Sequence, residues 1–488
     1  MANSSTKEVR TRFAPSPTGD LHVGNIRTAL FAWAYARHCS GKLIFRVEDT
    51  DRERVTDEYI ARAIETLKWL GINWDEGPEV GGEFGPYLQS QRLEIYKHWA
   101  DIFLKNGDAY LCYCSSEELE IRRDKQRELN QPPGYDGKCR DLTNGEIDSF
   151  VKEGRAPVVR MRMPGGSTTF KDLIRGEVSF DHKYVPDFVL MRADGSPLYT
   201  LAVAVDDVLM KITHVLRGED LLSSTPRQIR VYQAMGVAED EYPAFAHLPF
   251  VMGQDNAKLS KRNGEVSISW YRESGFLPEA ICNYLALLGW SPGDDRENVS
   301  MVELIELFEL ERVNSSPARF DMKKLEAING DKIRNLTLED FLVRALPFLL
   351  KDGVVSGNEE ELKVLRQALP IIQERIARMN EVSAMLKFLF TDEISFDQEA
   401  SAALSNEQAK AVITKSLEVL QGVDDWSHQV IEAKLREALI DQMALKPRLA
   451  FSPVRIAVTG SHISPPLFES MELLGKQRSI SRLKAAVS

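Results

Sequence analysis

The chain reads as an α/β protein built on a doubly wound parallel sheet, continued by an all-α region of C-terminal helical bundles. Three observations predict it. Residues 9–14 alternate apolar and polar side chains like a strand, residues 26–38 carry apolar residues at helical spacing, and Pro15, Pro17 and Gly19 break regular structure between them. Residues 42–47 (K-L-I-F-R-V) read as a second, buried strand and run straight into E-D-T-D-R-E-R. From Pro278 onward, helical periodicity dominates.

At 488 residues the chain has room for roughly three or four domains, and 43% hydrophobic with 27% charged residues is the balance of a globular protein with a sizeable core. With 61 basic against 73 acidic residues, the formal net charge of −12 argues against a protein that coats polyanions by bulk charge. Any nucleic-acid contact is therefore local and shape-dependent. The five cysteines predict a reducing, cytoplasmic setting, with the isolated Cys39 and Cys282 as core fillers. No apolar run approaches the roughly 20 residues a membrane helix needs.

The first strand and helix enclose residues 12–25, R-F-A-P-S-P-T-G-D-L-H-V-G-N. A helix start offers free N–H groups and a positive dipole end to an anion, and Gly24 lets a flat or charged ligand approach the backbone. His22 sits at that mouth, placed to donate to phosphate oxygens. After the second strand, Glu48 is the candidate for a substrate ammonium, because acids at the carboxyl end of a parallel strand lie where such sheets bind ligands. Asp49 and Asp51 instead suit the dipole of the next helix, over 59–70.

A Gly- and Pro-rich segment at 77–86 leads to a helix around 93–105, then C-Y-C at 112–114, a charged helix over 117–129 and P-P-G-Y-D-G-K-C-R-D ending at Asp141. Strands follow at 158–163 and 178–180, so this stretch reads as a module inserted into the parent fold. The parent fold resumes at L-Y-T-L-A-V-A-V-D-D, where Asp206 and Asp207 read as a strand end beside a turn. It continues through I-T-H-V-L-R-G-E-D to a helix that starts near Thr225 and Pro226. The polar stretch N-A-K-L-S-K-R-N-G at 256–264 is a candidate lid bringing Lys258 and Lys261 to a triphosphate. Beyond it, 337–340 and 405–408 resemble capping boxes. Pro370 should interrupt or kink the apolar-periodic stretch over 362–390, and Gly422 and Gly475 are plausible helix stops.

Together these stretches resemble the bacterial glutamyl-tRNA synthetases, of class I. R-F-A-P-S-P-T-G-D-L-H-V-G and K-L-S-K-R match the two class signatures, and F-R-V-E-D-T-D-R, V-L-R-G-E-D and S-P-P-L-F-E-S-M-E-L-L-G-K extend the likeness over nearly the whole chain. The resemblance implies a Rossmann-like catalytic domain in two halves, 1–111 and 198–250, separated by an acceptor-stem-binding module, 112–197. It further implies a lysine-loop and stem-contact domain, 251–325, and two helical anticodon-binding subdomains, 326–392 and 393–488. The expected partners are L-glutamate, ATP and tRNA(Glu), with no DNA and no membrane, and the expected state is a cytoplasmic monomer. By that resemblance, glutamate and ATP are expected to form glutamyl-adenylate, whose glutamyl group passes to the terminal adenosine of tRNA. The family usually needs bound tRNA before the first step.

The residue types suit that chemistry. A carboxylate attacking an α-phosphate needs no strong base, so positioning and charge stabilisation carry the reaction. The resemblance assigns His22 and Lys261, with Lys258, to the transferring phosphoryl group and the leaving pyrophosphate, with Mg2+ shared by the phosphates. Gly24 gives adenine a flat floor, and Asp220 joins His22, Gly24 and Lys261 around ATP. Glutamate needs two cations and one anion, which Arg12, Arg217 and Glu48 supply, and guanidinium grips carboxylate in a bidentate fork. The family pattern sets Arg12 with Tyr199 at the side-chain carboxylate, and Ser16 and Glu48 at the backbone end. Ala14 and Val203 complete the pocket, while Arg217 takes a carboxylate left unassigned. Val203 stands where some relatives carry Asn, so a polar contact is missing or water replaces it.

Some members of the family bind zinc through C-x-C, a later Cys and a His. The matching positions are Cys112, Cys114, Cys139 and Asp141, and zinc or three reduced thiols stay open as alternatives. Arg375, in I-I-Q-E-R-I-A-R, matches a position where relatives selective for glutamate tRNA carry arginine. A nucleotidyltransferase acting on a small molecule would not need the helical third, and a glutaminyl enzyme would be expected to end in β-barrels.

Overall fold

The computed structural model describes residues 8–16, 18–51, 56–132, 134–253, 259 and 267–487. The chain divides into two units, Met1–Trp270 with Ile281–Asp321, and Tyr271–Ala280 with Met322–Ser488.

The first unit opens with β1 (Arg10–Phe13), α1 (Val23–His38), β2 (Lys42–Phe45), α2 (Asp57–Trp69), α3 (Leu93–Asn106) and β3 (Ala109–Cys112). It continues through α4 (Ser116–Glu128), α5 (Asn144–Lys152), β4 (Val158–Met161), β5 (Ser167–Asp172), β6 (Gly176–Asp181) and β7 (Phe188–Met191). Then come α6 (Tyr199–Leu209), β8 (His214–Gly218), α7 (Thr225–Ala234) and β9 (Ala244–Leu248). Among the described residues, the main sheet runs β2-β1-β8-β9-β5-β6, parallel from β2 to β5 and reversed only at β6. The chain leaves β1 toward β2 on one side and later returns as β8 on the other. That is a topological switch point, and ligands bind in the crevice outside the carboxyl ends of the flanking strands.

The alternation read over residues 9–14 does not separate a buried from an exposed face, because the strand is buried on both. All four residues of β1 are buried, and its polar members find internal partners: Arg10 Nη1 donates to Glu76 Oε1 at 2.7 Å and Thr11 Oγ1 to the Ala32 carbonyl at 2.8 Å, while Arg10 Nη2 and Arg12 Nε are left without a hydrogen bond. Helix α1 packs on β1, β2 and β8 and buries Ile26, Leu30, Phe31 and Trp33. The opposite layer centres on Tyr96, Phe103, Leu201, Ala204, Ile229 and Tyr232. β3, β4 and β7 form their own antiparallel sheet, which begins at Ala109 rather than at 112, whereas the β5–β6 hairpin joins the edge of the main sheet beside β9.

Two readings of local structure need correction. Asp206 and Asp207 lie inside helix α6, not at a strand end; the apolar run before them fits a buried helix and a buried strand equally by periodicity. Asp49 serves no helix dipole: its carboxylate accepts Ser90 N at 2.8 Å and Ser90 Oγ at 2.5 Å, and α2 is started instead by Thr56, with Asp57 and Glu58 in its first turn.

The second unit is helical. Thr337 caps Leu338–Lys351 through the Asp340 N–H, as expected, but the cap expected at Ser405 falls one residue later, on Asn406, which accepts Ala409 N at 2.8 Å. Pro370 is accommodated within Glu359–Ile372, and the chain leaves helix only after Ile372, resuming at Glu381–Phe390. Gly422 and Gly475 terminate Glu407–Gln421 and Leu467–Leu474. No helix among the described residues is long and apolar enough to cross a membrane.

Candidate active site

A cavity of about 550 Å³ opens at the switch point. Arg12, Ala14 and Ser16 reach it from the end of β1, His22 and Gly24 from the start of α1, Glu48 from beyond β2, Tyr199 from α6, and Arg217 and Asp220 from β8 and the turn after it. Val203 is fully buried within α6 and does not line the cavity, so its anticipated place in the substrate pocket is not seen. Lys258 and Lys261 lie outside the described residues; Leu259, between them, lines the cavity and donates its N–H to the Val251 carbonyl at 3.0 Å.

His22 is the N-cap of α1. Its Nδ1 accepts the backbone N–H groups of Gly24 at 3.1 Å and Asn25 at 3.3 Å, while Asn25 Oδ1 accepts His22 N–H at 3.2 Å. Those two helix N–H groups are therefore occupied by the imidazole and are not open to an anion, contrary to the expectation from sequence. Since Nδ1 accepts, the neutral ring carries its proton on Nε2. Gly24 is constrained by the same ring: a Cβ there would lie 3.2 Å from His22 Cε1 and 3.3 Å from Nδ1.

Behind the cavity lies a buried ionic network. Arg46 is fully buried and donates from Nη1 to Asp207 Oδ1 at 2.8 Å and from Nη2 to Glu48 Oε1 at 3.2 Å. Arg12 Nε stands 3.4 Å from the same Asp207 oxygen, and Nη1 donates to the Leu216 carbonyl at 3.3 Å. Asp206 accepts Arg92 Nε at 2.7 Å, Tyr96 Oη at 2.8 Å and Gln89 Nε2 at 3.1 Å. The two adjacent aspartates are thus counter-charges for arginines. Breaking such a buried pair by removing one partner costs about 3–5 kcal/mol. Burial pushes the Glu48 carboxyl up to about 7, against the opposing charges of Arg46 and Arg12.

Arg217 differs from its neighbours. It is buried, yet among the described residues no carboxylate lies within ion-pair reach; its Nε donates to His247 Nε2 at 2.9 Å, Nη1 to Gln228 Oε1 at 2.8 Å and Nη2 to Thr225 Oγ1 at 2.8 Å. Burial lowers its pKa, which makes an anionic ligand the natural counter-charge. Not anticipated from sequence was Arg27, a third buried arginine on the cavity wall beside Arg12 and Arg217, which donates to the Leu288 carbonyl at 3.0 Å and to the Pro249 carbonyl. Burial lowers it to about 10. The signal was present: Arg27 is the one charged residue in the run I-R-T-A-L-F-A-W-A.

Cys112, Cys114 and Cys139 come together with their sulfurs within 4.8 Å of one another. A hydrogen bond with Cys139, then one with Tyr135, holds the Cys112 thiol down at about 4 against its burial, and the Cys139 thiol is raised correspondingly. Asp141 is not part of the cluster: it is largely exposed and accepts Arg162 Nη1 at 3.1 Å. The oxygen beside the sulfurs is instead the Tyr135 hydroxyl, 3.4 Å from Cys112 Sγ and 3.9 Å from Cys114 Sγ, which also accepts the Cys139 N–H at 2.8 Å. In the second unit, Arg375 lies in the turn after Glu359–Ile372, exposed, and its charge helps lower the pKa of the half-buried Arg455.

A switch-point cavity with this cation set and a separate helical unit define a class I aminoacyl-tRNA synthetase. The family model for tRNA synthetases class I (E and Q), catalytic domain, matches residues 8–327, and the anticodon binding domain model matches residues 340–487. A glutamate–tRNA ligase of a Nocardioides species is 51% identical over 99% of this chain and 100% of its own length, and that of Mycobacterium tuberculosis is 49% identical over 99% and 98%. The crystal structure of a glutamate tRNA ligase from Elizabethkingia meningosepticum, in complex with its amino acid, superposes with a TM-score of 0.85 at 32% identity, covering 99% of each chain. The chain belongs to the glutamate–tRNA ligase family. It activates L-glutamate with ATP to glutamyl-adenylate, releasing pyrophosphate, and transfers the glutamyl group to the 3′ terminal adenosine of tRNA(Glu), releasing AMP. Its substrates are thus tRNA, ATP and an amino acid, and ATP-dependent ligases of this class use Mg2+.

Proposed function

We propose that glutamate and ATP share the switch-point cavity, glutamate over the ends of β1 and β8 and the phosphates toward His22. Arg12 with Tyr199 takes one carboxylate, Arg217 the other, and Glu48 with Ser16 holds the ammonium. His22 Nε2–H, Lys261 and Lys258 stabilise charge on the transferring phosphoryl group and pyrophosphate, with Mg2+ carried by the phosphates. Asp220 and Gly24 border the nucleotide. The observation that carries this reading is Arg217, a buried guanidinium on the cavity wall with no carboxylate within ion-pair reach among the described residues. A ligand carboxylate there completes a charge balance that the protein leaves open.

Cys112, Cys114 and Cys139 hold one zinc ion, with the Tyr135 oxygen as the nearest fourth donor; its work is structural, since the cluster lies outside the cavity. Arg375 reads the anticodon from the helical unit, and the enzyme works as a monomer. The deciding experiment is glutamate-dependent ATP–pyrophosphate exchange, with and without tRNA, on wild type, Arg12→Ala and Lys261→Ala. Each variant is expected to lose about a hundredfold or more in rate while remaining folded. Near-normal exchange in either removes that residue from the site.

A further inference from the structure

Behind Arg217 lies a second layer that contacts no cavity surface. Asp172 is the last residue of β5, at the one position where that hairpin strand pairs with β9, opposite Phe245. Its Oδ2 accepts His247 Nδ1 at 2.6 Å, and both carboxylate oxygens take the His247 backbone N–H at 3.2–3.3 Å. His247 in turn presents Nε2 to Arg217 Nε at 2.9 Å. All three side chains are buried, at 1%, 0% and 3% exposure, so water cannot substitute for any of these contacts. Neither Asp172 nor His247 lines the cavity.

We propose that Asp172 and His247 are positioning residues for glutamate binding, acting through Arg217. A carboxylate can only accept, so Asp172 requires the proton on His247 Nδ1 and leaves Nε2 as an acceptor. Arg217 Nε–H can only donate, so that unprotonated Nε2, which also lies 3.4 Å from Thr225 Oγ1, is what anchors its guanidinium plane. With Gln228 and Thr225 holding one N–H on each terminal nitrogen, Arg217 keeps a single N–H on each of them for a ligand carboxylate. If the imidazole proton moved to Nε2, two N–H groups would face each other across 2.9 Å and the fork would turn away. Burial and the neighbouring Arg217 charge both keep His247 from taking a second proton, against the pull of Asp172. The consequence is that a residue of the β5–β6 hairpin, within segment 112–197, governs affinity in the amino-acid pocket.

Asp172 also accepts the Ile174 and Arg175 N–H groups in the hairpin turn at 3.0 and 2.9 Å, so a purely structural role must be separated from a positioning one. Asp172→Asn does so. Its amide oxygen can keep the turn contacts while its NH2 faces His247 Nδ1 and forces the wrong tautomer. His247→Gln retains an acceptor for Arg217, whereas His247→Leu keeps bulk and loses it. The proposal rests on Arg217 binding a glutamate carboxylate, so Arg217→Ala is measured alongside.

In aminoacylation by the full-length enzyme, Asp172→Asn and His247→Leu are expected to raise the glutamate KM about tenfold or more, with KM for ATP and tRNA within about twofold of wild type. His247→Gln should stay within about threefold for all substrates. An unchanged glutamate KM in folded Asp172→Asn, or equal glutamate KM values for His247→Leu and His247→Gln, overturns the proposal. So does a rise in all three KM values together, or failure of all three variants to fold, since either marks a general structural role. If Arg217→Ala itself leaves the glutamate KM unchanged, the assignment of Arg217 fails instead.

Discussion

The Gly24 backbone N–H donates to His22 Nδ1 at 3.1 Å, so the imidazole that faces the cavity also closes the first turn of α1. One side chain thus performs two separable tasks, capping with Nδ1 and presenting a donor with Nε2. His22→Asn preserves the first, because Asn is among the preferred N-cap residues, and removes the second. The expected outcome is a melting temperature within a few degrees of wild type, with pyrophosphate exchange reduced about a hundredfold. Gly24→Ala approaches from the other side, placing a methyl 3.2 Å from the ring. It should cost about tenfold in rate by displacing the ring, a smaller loss than removing the donor outright. Stopped exchange assays and thermal melts on both variants check the pair; equal rates for His22→Asn and wild type would show that Nε2 contributes no charge stabilisation.

Glu48 makes glutamate binding depend on pH. Its carboxyl titrates at about 7, above the ordinary 4.5, because burial outweighs the attraction of Arg46 and Arg12. For stability the sign is fixed by linkage: the folded state holds a proton that the unfolded chain releases. The stabilising contribution is full below 4.5 and is lost as pH rises through about 7. Binding runs the opposite way, since a substrate ammonium pairs only with the ionised carboxylate. The glutamate KM is therefore expected to fall roughly tenfold between pH 6 and 8, and Glu48→Gln to flatten the profile at the weaker value. A level wild-type KM across that range would reject Glu48 as the ammonium partner.

Glu48, His22 and Gly24 were legible because they sit at strand and helix ends, where local sequence and ligand position coincide, whereas Arg12 and Arg217 were placed by the family's motifs. Arg12, Glu48 and Arg217 each close a short buried strand or stand just beyond one, and Gly24 and His22 mark the loop-to-helix step. What escaped were residues whose meaning depends on tertiary partners. Asp206 and Asp207 look alike in sequence, yet one faces Arg92 and the other Arg46, and nothing local says they lie on a helix. Asp172 and His247 are 75 residues apart and meet only because β5 joins β9. Val203 was placed by pattern four residues after Tyr199, one helical turn along, but helix α6 turns inward and buries it.

The cysteine cluster predicts one bound metal ion. Three sulfurs lie within 4.8 Å, and the Cys112 thiol is held down at about 4, so one thiolate is in place and the raised thiols of Cys114 and Cys139 would release their protons to solvent as zinc binds. Metal analysis of protein purified without chelators should give about one zinc per chain. Tyr135→Phe is expected to weaken retention about tenfold or more, whereas Asp141→Ala, which breaks only an exposed contact with Arg162, should leave it unchanged. Loss of zinc in Asp141→Ala with retention in Tyr135→Phe would reverse the choice of fourth donor.

Arg375 tests how the helical unit chooses its tRNA. The residue lies just beyond Glu359–Ile372, anchored by its own N–H to the Ile372 carbonyl at 2.8 Å, with its side chain exposed. Arg455, close enough for the Arg375 charge to lower its pKa, spends Nη1 on Ser464 and the Pro465 carbonyl. Two guanidiniums set near one another repel, and a partner rich in acceptors relieves that repulsion, as unstacked bases of an RNA loop do. At the third anticodon base a guanidinium favours C, which offers acceptors, over G, which offers a donor at its Watson–Crick edge. That preference separates glutamate tRNA from glutamine tRNA. Wild type should charge purified glutamate tRNA with a much higher kcat/KM than glutamine tRNA, and Arg375→Gln should narrow the ratio about tenfold, with pyrophosphate exchange at saturating glutamate tRNA unaffected. Efficient charging of glutamine tRNA by wild type would defeat the selectivity, and an unchanged ratio in the variant would move its source to another residue of the helical unit.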